Sequence, residues 1–382
     1  MSYMMLFRYL HRALRRIASY AIDWTVSWRL GITSLDRPSK VALKSVDTNQ
    51  YWSNTRVHSP FPVTRLFNGR KTFNGKAITF DIEGISEGPG YHPGSKKFMA
   101  SIFRPVTLPD TPMPLVILLH GFAVPVPYLE EWHARKLVEQ GAVVARLELP
   151  FHMRRRIVGT LSGDGFFALD PERTVESIRQ SVEDAAAIIA WARTAFHIDH
   201  VSAMGFSLGG LVTTLIATQL ELDAAVAVAP FCDPVHTFLE KLPRNAKRRV
   251  GLVGTSGGVW GMTMGEAEVL LRRVLSPIIP ENHMEIATPP HRICLVAPYY
   301  DNIVGFEPIV RLASSWGTEL ISQPFGHMNI MTANKLAPLY HAWLLEDHDS
   351  PEQIRKRGRT RHIQGKASQD VAIHTIGRRE GA

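Results

Sequence analysis

The chain has 382 residues, 45% hydrophobic and 20% charged, which is enough apolar material for a large buried core and excludes a disordered polyampholyte. Its formal charge of +8 sits at the two ends: Arg8, Arg12, Arg15, Arg16 and Arg29 face only Asp23 within residues 1–31, and eight Lys/Arg face three acids within residues 351–382. The body between them is close to neutral, which argues against nucleic-acid binding by the whole molecule, and two cysteines, Cys232 and Cys294, cannot make a disulfide framework.

In residues 1–35, Phe7, Leu10, Leu14, Ile17, Ala21, Trp24 and Trp28 recur in steps of three and four, and the arginines fall roughly opposite. This spacing predicts a basic amphipathic helix. The arginines interrupt any apolar run long enough for a signal peptide or a membrane span. Two readings stay open: peripheral contact of residues 1–31 with an anionic membrane, or docking on the protein's own body or a second subunit. The chain is accordingly expected in the cytoplasm, free or peripheral at the inner membrane face, and its oligomeric state is left open.

Residues 77–80 and 98–103 read as two strands of a hairpin. Short apolar runs follow at 115–119, 142–147, 201–204, 224–229, 293–297 and 320–321, with helical patterns between them. The longest of these helices runs from Pro171 to about Phe196, with Asp170 as its N-cap. Short, wholly apolar strands alternating with helices predict a mostly parallel sheet covered on both faces. Ligands of such sheets bind at the carboxyl ends of the strands, so those ends hold the candidate site residues.

After the 201–204 run comes Gly205-Phe206-Ser207-Leu208-Gly209-Gly210, then an apolar helical stretch. Strand, G-x-S-x-G and helix are what a nucleophile elbow needs, because a serine on so tight a turn tolerates only small neighbours. His120-Gly121-Phe122 follows the 115–119 strand, and Leu149-Pro150-Phe151-His152-Met153-Arg154-Arg155-Arg156 follows the next. Asp233 follows the 224–229 strand, Asp301 the 293–297 strand, and Gly326-His327 the last one. A serine is a weak nucleophile until a base takes its proton; a histidine titrates near neutrality, and a carboxylate holds its tautomer.

On these residues the chain resembles the α/β hydrolases over roughly residues 70–345, with a serine-esterase or dienelactone-hydrolase-like character. Its Pro-Phe-His-x-Arg-Arg run is similar to a largely uncharacterised bacterial branch. The resemblance implies a mostly parallel eight-stranded sheet with helices on both faces, and the segment over about 231–290, long for a plain connection and including the glycine-rich 251–262 stretch, reads as a lid insertion. It further implies a triad of Ser207, Asp301 and His327, with Asp233 as the rival acid, and an oxyanion hole made by the backbone N–H groups of Phe122 and Leu208.

Arg154 and Arg155 have two open roles, contact with an anionic or polar substrate or structural pairing. The expected activity is hydrolysis of a small-molecule carboxylic ester or thioester through an acyl-enzyme on Ser207. The alternatives are acyl transfer from the same intermediate and a non-catalytic lipid-associated scaffold. No metal-ligand spacing and no dinucleotide fingerprint is present, so neither a metal nor a cofactor is expected. Residues 350–382 read as a basic, disordered tail.

Overall fold

The computed structural model describes Asp23 and residues 48–53, 55–66, 71–73, 75–88, 90–167, 171–241 and 263–349. The expected N-terminal helix apart from Asp23, the Asp170 cap, the 251–262 stretch and the tail from 350 lie outside the described residues.

After α1 (Thr48–Ser53), an antiparallel region holds β1 (Val63–Arg65), β2 (Lys71–Phe73), β3 (Ala77–Ile85) and β4 (Lys97–Pro105). The expected hairpin is β3–β4, in register from Ala77 opposite Pro105 to Ile85 opposite Lys97. The alternating part follows: β5 (Met113–Leu119), α2 (Tyr128–Glu139), β6 (Val143–Glu148), α3 (Pro171–Ala195), β7 (Ile198–Phe206), α4 (Leu208–Gln219) and β8 (Ala224–Val228). It closes with α5 (Met264–Val274), β9 (Ile293–Pro298), α6 (Phe306–Trp316), β10 (Glu319–Gln323), α7 (His327–Met331) and α8 (Ala337–Leu345).

The strand order is β1-β3-β4-β6-β5-β7-β8-β9-β10, with β2 paired to β3, and every pairing from β6 through β10 is parallel. Ten strands therefore stand where the sequence suggests eight. The expected eight are β3 to β10; the additional β1 and β2 have three residues each, too few to show an alternating pattern. β7 begins earlier than its apolar run because Ile198, Asp199 and His200 are not buried, so hydropathy alone misses them.

Side chains leave β5 alternately on its two faces. Leu115, Ile117 and Leu119 enter one core cluster, while Val116 and Leu118 enter the other. Helices cover both, so β6, β8 and β9 are buried along their whole length; β8 and β9 read as continuous apolar runs, and β6 carries a buried Arg146 and Glu148. Each fully buried aliphatic side chain contributes roughly 1.5–3 kcal/mol, and this holds the parallel strand ends together as a rigid platform. Of the segment expected to form a lid, the described parts are Phe231–Lys241 and residues 263–290, and these carry α5, whose Thr263–Glu266 capping box sets its start. No helix among the described residues is long and apolar enough to cross a membrane.

Candidate active site

Ser207 joins β7 to α4 with φ 53° and ψ −112°, a conformation that costs a non-glycine residue on the order of 1–3 kcal/mol. The surroundings hold it there. Its N–H donates to Val228 O at 2.9 Å, and its carbonyl accepts from Leu211 N at 3.0 Å and Phe231 N at 3.1 Å. Two glycines make the turn possible: a Cβ on Gly205 would lie 2.1 Å from Gly209 O, and one on Gly209 would lie 2.3 Å from Leu119 O. The start of α4 thus sits directly on the end of β5.

The side chain of Ser207 meets His327. Ser207 Oγ and His327 Nε2 are 2.9 Å apart, and His327 Nδ1 is 2.7 Å from Asp301 Oδ2. Asp301 is oriented in turn by its own loop, because its Oδ1 accepts from Ile303 N and Val304 N at 2.9 Å each. Burial alone would raise the Asp301 carboxyl, but His327 and these N–H donors outweigh it and hold the group below its ordinary value. Burial likewise disfavours the His327 imidazolium, yet the charge and hydrogen bond of Asp301, with a further contribution from Asp23, leave the base above its ordinary value. Such a chain can move a proton from a hydroxyl to an imidazole while the carboxylate fixes the Nδ1–H tautomer.

Asp233, the other acid considered, turns elsewhere. It caps a short helical turn through His236 N at 2.9 Å and pairs with Arg272 at 3.3 Å and Arg311 at 3.1 Å.

The loop after β5 borders the serine: a Cβ on Gly121 would contact Ser207 Cβ at 3.7 Å. Two buried imidazoles lock this loop to the one after β6. His120 donates from Nδ1 to Gly121 O and accepts at Nε2 from Leu149 N at 3.0 Å. His152 donates from Nδ1 to Pro150 O and accepts at Nε2 from Ala123 N at 3.1 Å. The rings are 4.8 Å apart, and burial pushes His152 down to about 4 and His120 well below its ordinary value, so both are neutral. Ala123 takes φ 57° within this lock. The Phe122 and Leu208 N–H groups make no backbone hydrogen bond among the described residues.

The arginines are engaged by the protein itself. Arg155 is buried against Asp184 at 2.6 Å and also donates to Glu148 O and Ser95 O. Arg154 is shared between Glu148 and Asp81, each at 2.6 Å. They tie the loop after β6 to α3 and to the β3–β4 hairpin.

Two features escape a motif reading. Asp23, buried to 1% exposure, accepts backbone N–H groups beside Asp301 and at His327. Its one sequence signal is that it is the sole acid within residues 1–31. Phe122, Phe167, Phe231 and Phe238 form a chain of ring contacts at 4.8, 5.2 and 5.7 Å, anchored beside the elbow by the Phe231 N–H bond to Ser207 O. These rings come from three separate loops, so no local pattern joins them.

The sequence pattern of the X-Pro dipeptidyl-peptidase (S15 family) matches residues 97–259, a stretch that includes Ser207 and ends before Asp301. No curated protein matches the chain by sequence. Among solved structures, the chain is similar to acetyl xylan esterase from Paenibacillus sp. R4, with 13% identity, a TM-score of 0.57 and coverage of 83% of this chain and 99% of that one. Acetyl xylan esterase 1 from Thermoanaerobacterium sp. JW/SL YS485 gives 13%, 0.57, 84% and 98%. The acylaminoacyl peptidase of Pyrococcus horikoshii gives 13%, 0.50, 71% and 42%. At such identities these are likenesses of fold.

Proposed function

We propose that this chain, which belongs by fold to the α/β-hydrolase superfamily, is a serine hydrolase that cleaves small carboxylic esters or thioesters through an acyl-enzyme on Ser207. The observation that carries this reading is the continuous chain of hydrogen bonds from Ser207 Oγ through His327 to Asp301, at the ends of β7, β10 and β9.

His327 Nε2 takes the Ser207 proton as Oγ bonds to the substrate carbonyl carbon. The carbonyl oxygen becomes an alkoxide facing the N–H groups of Phe122 and Leu208, where each such donor is worth roughly 3–4 kcal/mol of barrier. Collapse breaks the bond to the leaving alcohol or thiol, which takes the proton from His327. Water then repeats the sequence in reverse: His327 deprotonates it, the acyl group leaves as a carboxylic acid, and Ser207 regains its proton. Interception by an alcohol instead of water would give acyl transfer from the same intermediate. The phenylalanine rings beside Ser207 support an apolar or aromatic acyl or alcohol group. Arg154 and Arg155, whose guanidinium groups are already paired, carry no substrate contact in this proposal.

A fluorophosphonate probe tests the nucleophile. The wild-type protein should label, and Ser207→Ala and His327→Ala should not; a correctly folded wild type that stays unlabelled sinks the reading and brings the scaffold alternative forward. Substrate class is decided by p-nitrophenyl esters of graded acyl length against X-Pro p-nitroanilides. Turnover of the anilides alone would replace the esterase reading with a peptidase one.

A further inference from the structure

The catalytic base in this fold is held by two loops that have no covalent reason to keep a fixed distance: the one after β9, which carries Asp301, and the one after β10, which opens into His327. In this protein a third segment bridges them. Asp23 Oδ2 accepts from Asn302 N at 3.1 Å and from His327 N at 3.1 Å, and Asp23 Oδ1 lies 3.3 Å from Met328 N. One carboxylate oxygen therefore bonds the residue following the acid and the base itself, across 279 and 304 positions of chain.

Burying a carboxylate costs several kcal/mol unless its lone pairs are met, so its placement against these N–H groups is specific and not a chance of packing. The same group brings a negative charge to the backbone N–H of His327. Among the described residues, the titratable groups acting on it are His327 and Asp301. Burial raises the Asp23 carboxyl, and the His327 charge and the N–H donors work against that rise.

We infer that Asp23 is a positioning residue of the active site: it staples the acid loop to the base loop and sets a carboxylate against the His327 backbone N–H. The role rests on the triad reading above and goes beyond it, since the segment carrying Asp23 precedes the hydrolase sheet and contains no hydrolase motif.

The test uses the full chain with Asp23→Asn and Asp23→Ala. The asparagine keeps one oxygen for Asn302 N and His327 N but removes the charge; the alanine removes both. In Asp23→Asn the His327 imidazole, followed by NMR in the resting protein, should titrate about half a pH unit lower, as expected for losing one nearby charge. In Asp23→Ala the maximal rate of fluorophosphonate labelling should fall roughly ten- to a hundred-fold, the range for a misplaced base, with little change in the concentration giving half-maximal rate. An unmoved His327 midpoint in Asp23→Asn, or wild-type labelling by folded Asp23→Ala, overturns the inference. The NMR arm needs neither turnover nor a foldable alanine variant. A wild type that fails to label would defeat the serine-hydrolase reading while the titration still decides Asp23.

Discussion

Two buried carboxylates follow neighbouring strands of the sheet, and their hydrogen bonds separate them. Asp301 meets the His327 ring at 2.7 Å and is steadied by its own loop, whereas Asp233 caps a helical turn and faces Arg272 and Arg311. An asparagine at 301 would offer N–H where the ring needs an acceptor, and the imidazole would turn to the wrong tautomer. Asp301→Asn should therefore lower kcat by about 10⁴-fold in a folded protein. Asp233→Asn should leave the probe-labelling rate within about two-fold and lower the melting temperature by a few degrees, through lost ion pairs to Arg272 and Arg311. The reverse pattern would move the acid role to Asp233.

At the scale of elements, the site depends on how closely α4 approaches the end of β5. Gly209 allows contact with Leu119 O and His120 O at distances no Cβ tolerates, and all of these atoms are backbone, which cannot rotate away. Gly209→Ala should push α4 off β5, open the gap between the Leu208 and Phe122 N–H groups, and abolish labelling while lowering the melting temperature. A variant that labels at the wild-type rate would mean that the helix start tolerates more separation than its geometry implies. The loop after β6 shows a second use of elements as anchors. Removing either partner of the Arg155–Asp184 pair would leave a buried charge unmet, a cost of about 3–5 kcal/mol, which gives this part of the arginine-rich run a structural task.

The whole molecule carries several buried neutral imidazoles. Burial holds His133 down to about 3 and His341 and His152 down to about 4, and it lowers His120 and His283 as well. His133 Nδ1 and His341 Nε2 are 2.8 Å apart, a contact that two imidazolium ions could not keep. Below the ordinary value of 6.5 the unfolded chain binds protons that the folded one refuses, so the stability these groups share is full above about 6.5 and is lost as pH falls toward 4. Glu130, pushed up to about 7 by burial, acts in the opposite sense; His327, held above 6.5, exerts its effect above this window. The melting temperature should fall between pH 6.5 and pH 5, and His133→Gln with His341→Gln should flatten that slope. An equal slope in the double variant would assign the acid sensitivity to other groups.

Sequence alone determined much of this protein, because much of it is local. A serine between glycines, a strand before it and a helix after it are all written within about twenty residues, and the strand-end positions of His120, Asp301 and His327 follow from short apolar runs. The wholly buried parallel strands are legible for the same reason: burial on both faces leaves no polar alternation to confuse the pattern. Sequence context favours Asp301 over Asp233 without excluding the rival, and the tertiary structure brings Asp301 to the His327 ring while Asp233 faces Arg272 and Arg311. The tertiary structure also decided that Arg154 and Arg155 pair inward, and that rings from three loops gather beside Ser207. Above all, it placed Asp23 against His327. A hydrogen bond between residues some three hundred positions apart leaves no periodicity, motif or spacing in the chain, and only folding brings its two ends within 3.1 Å.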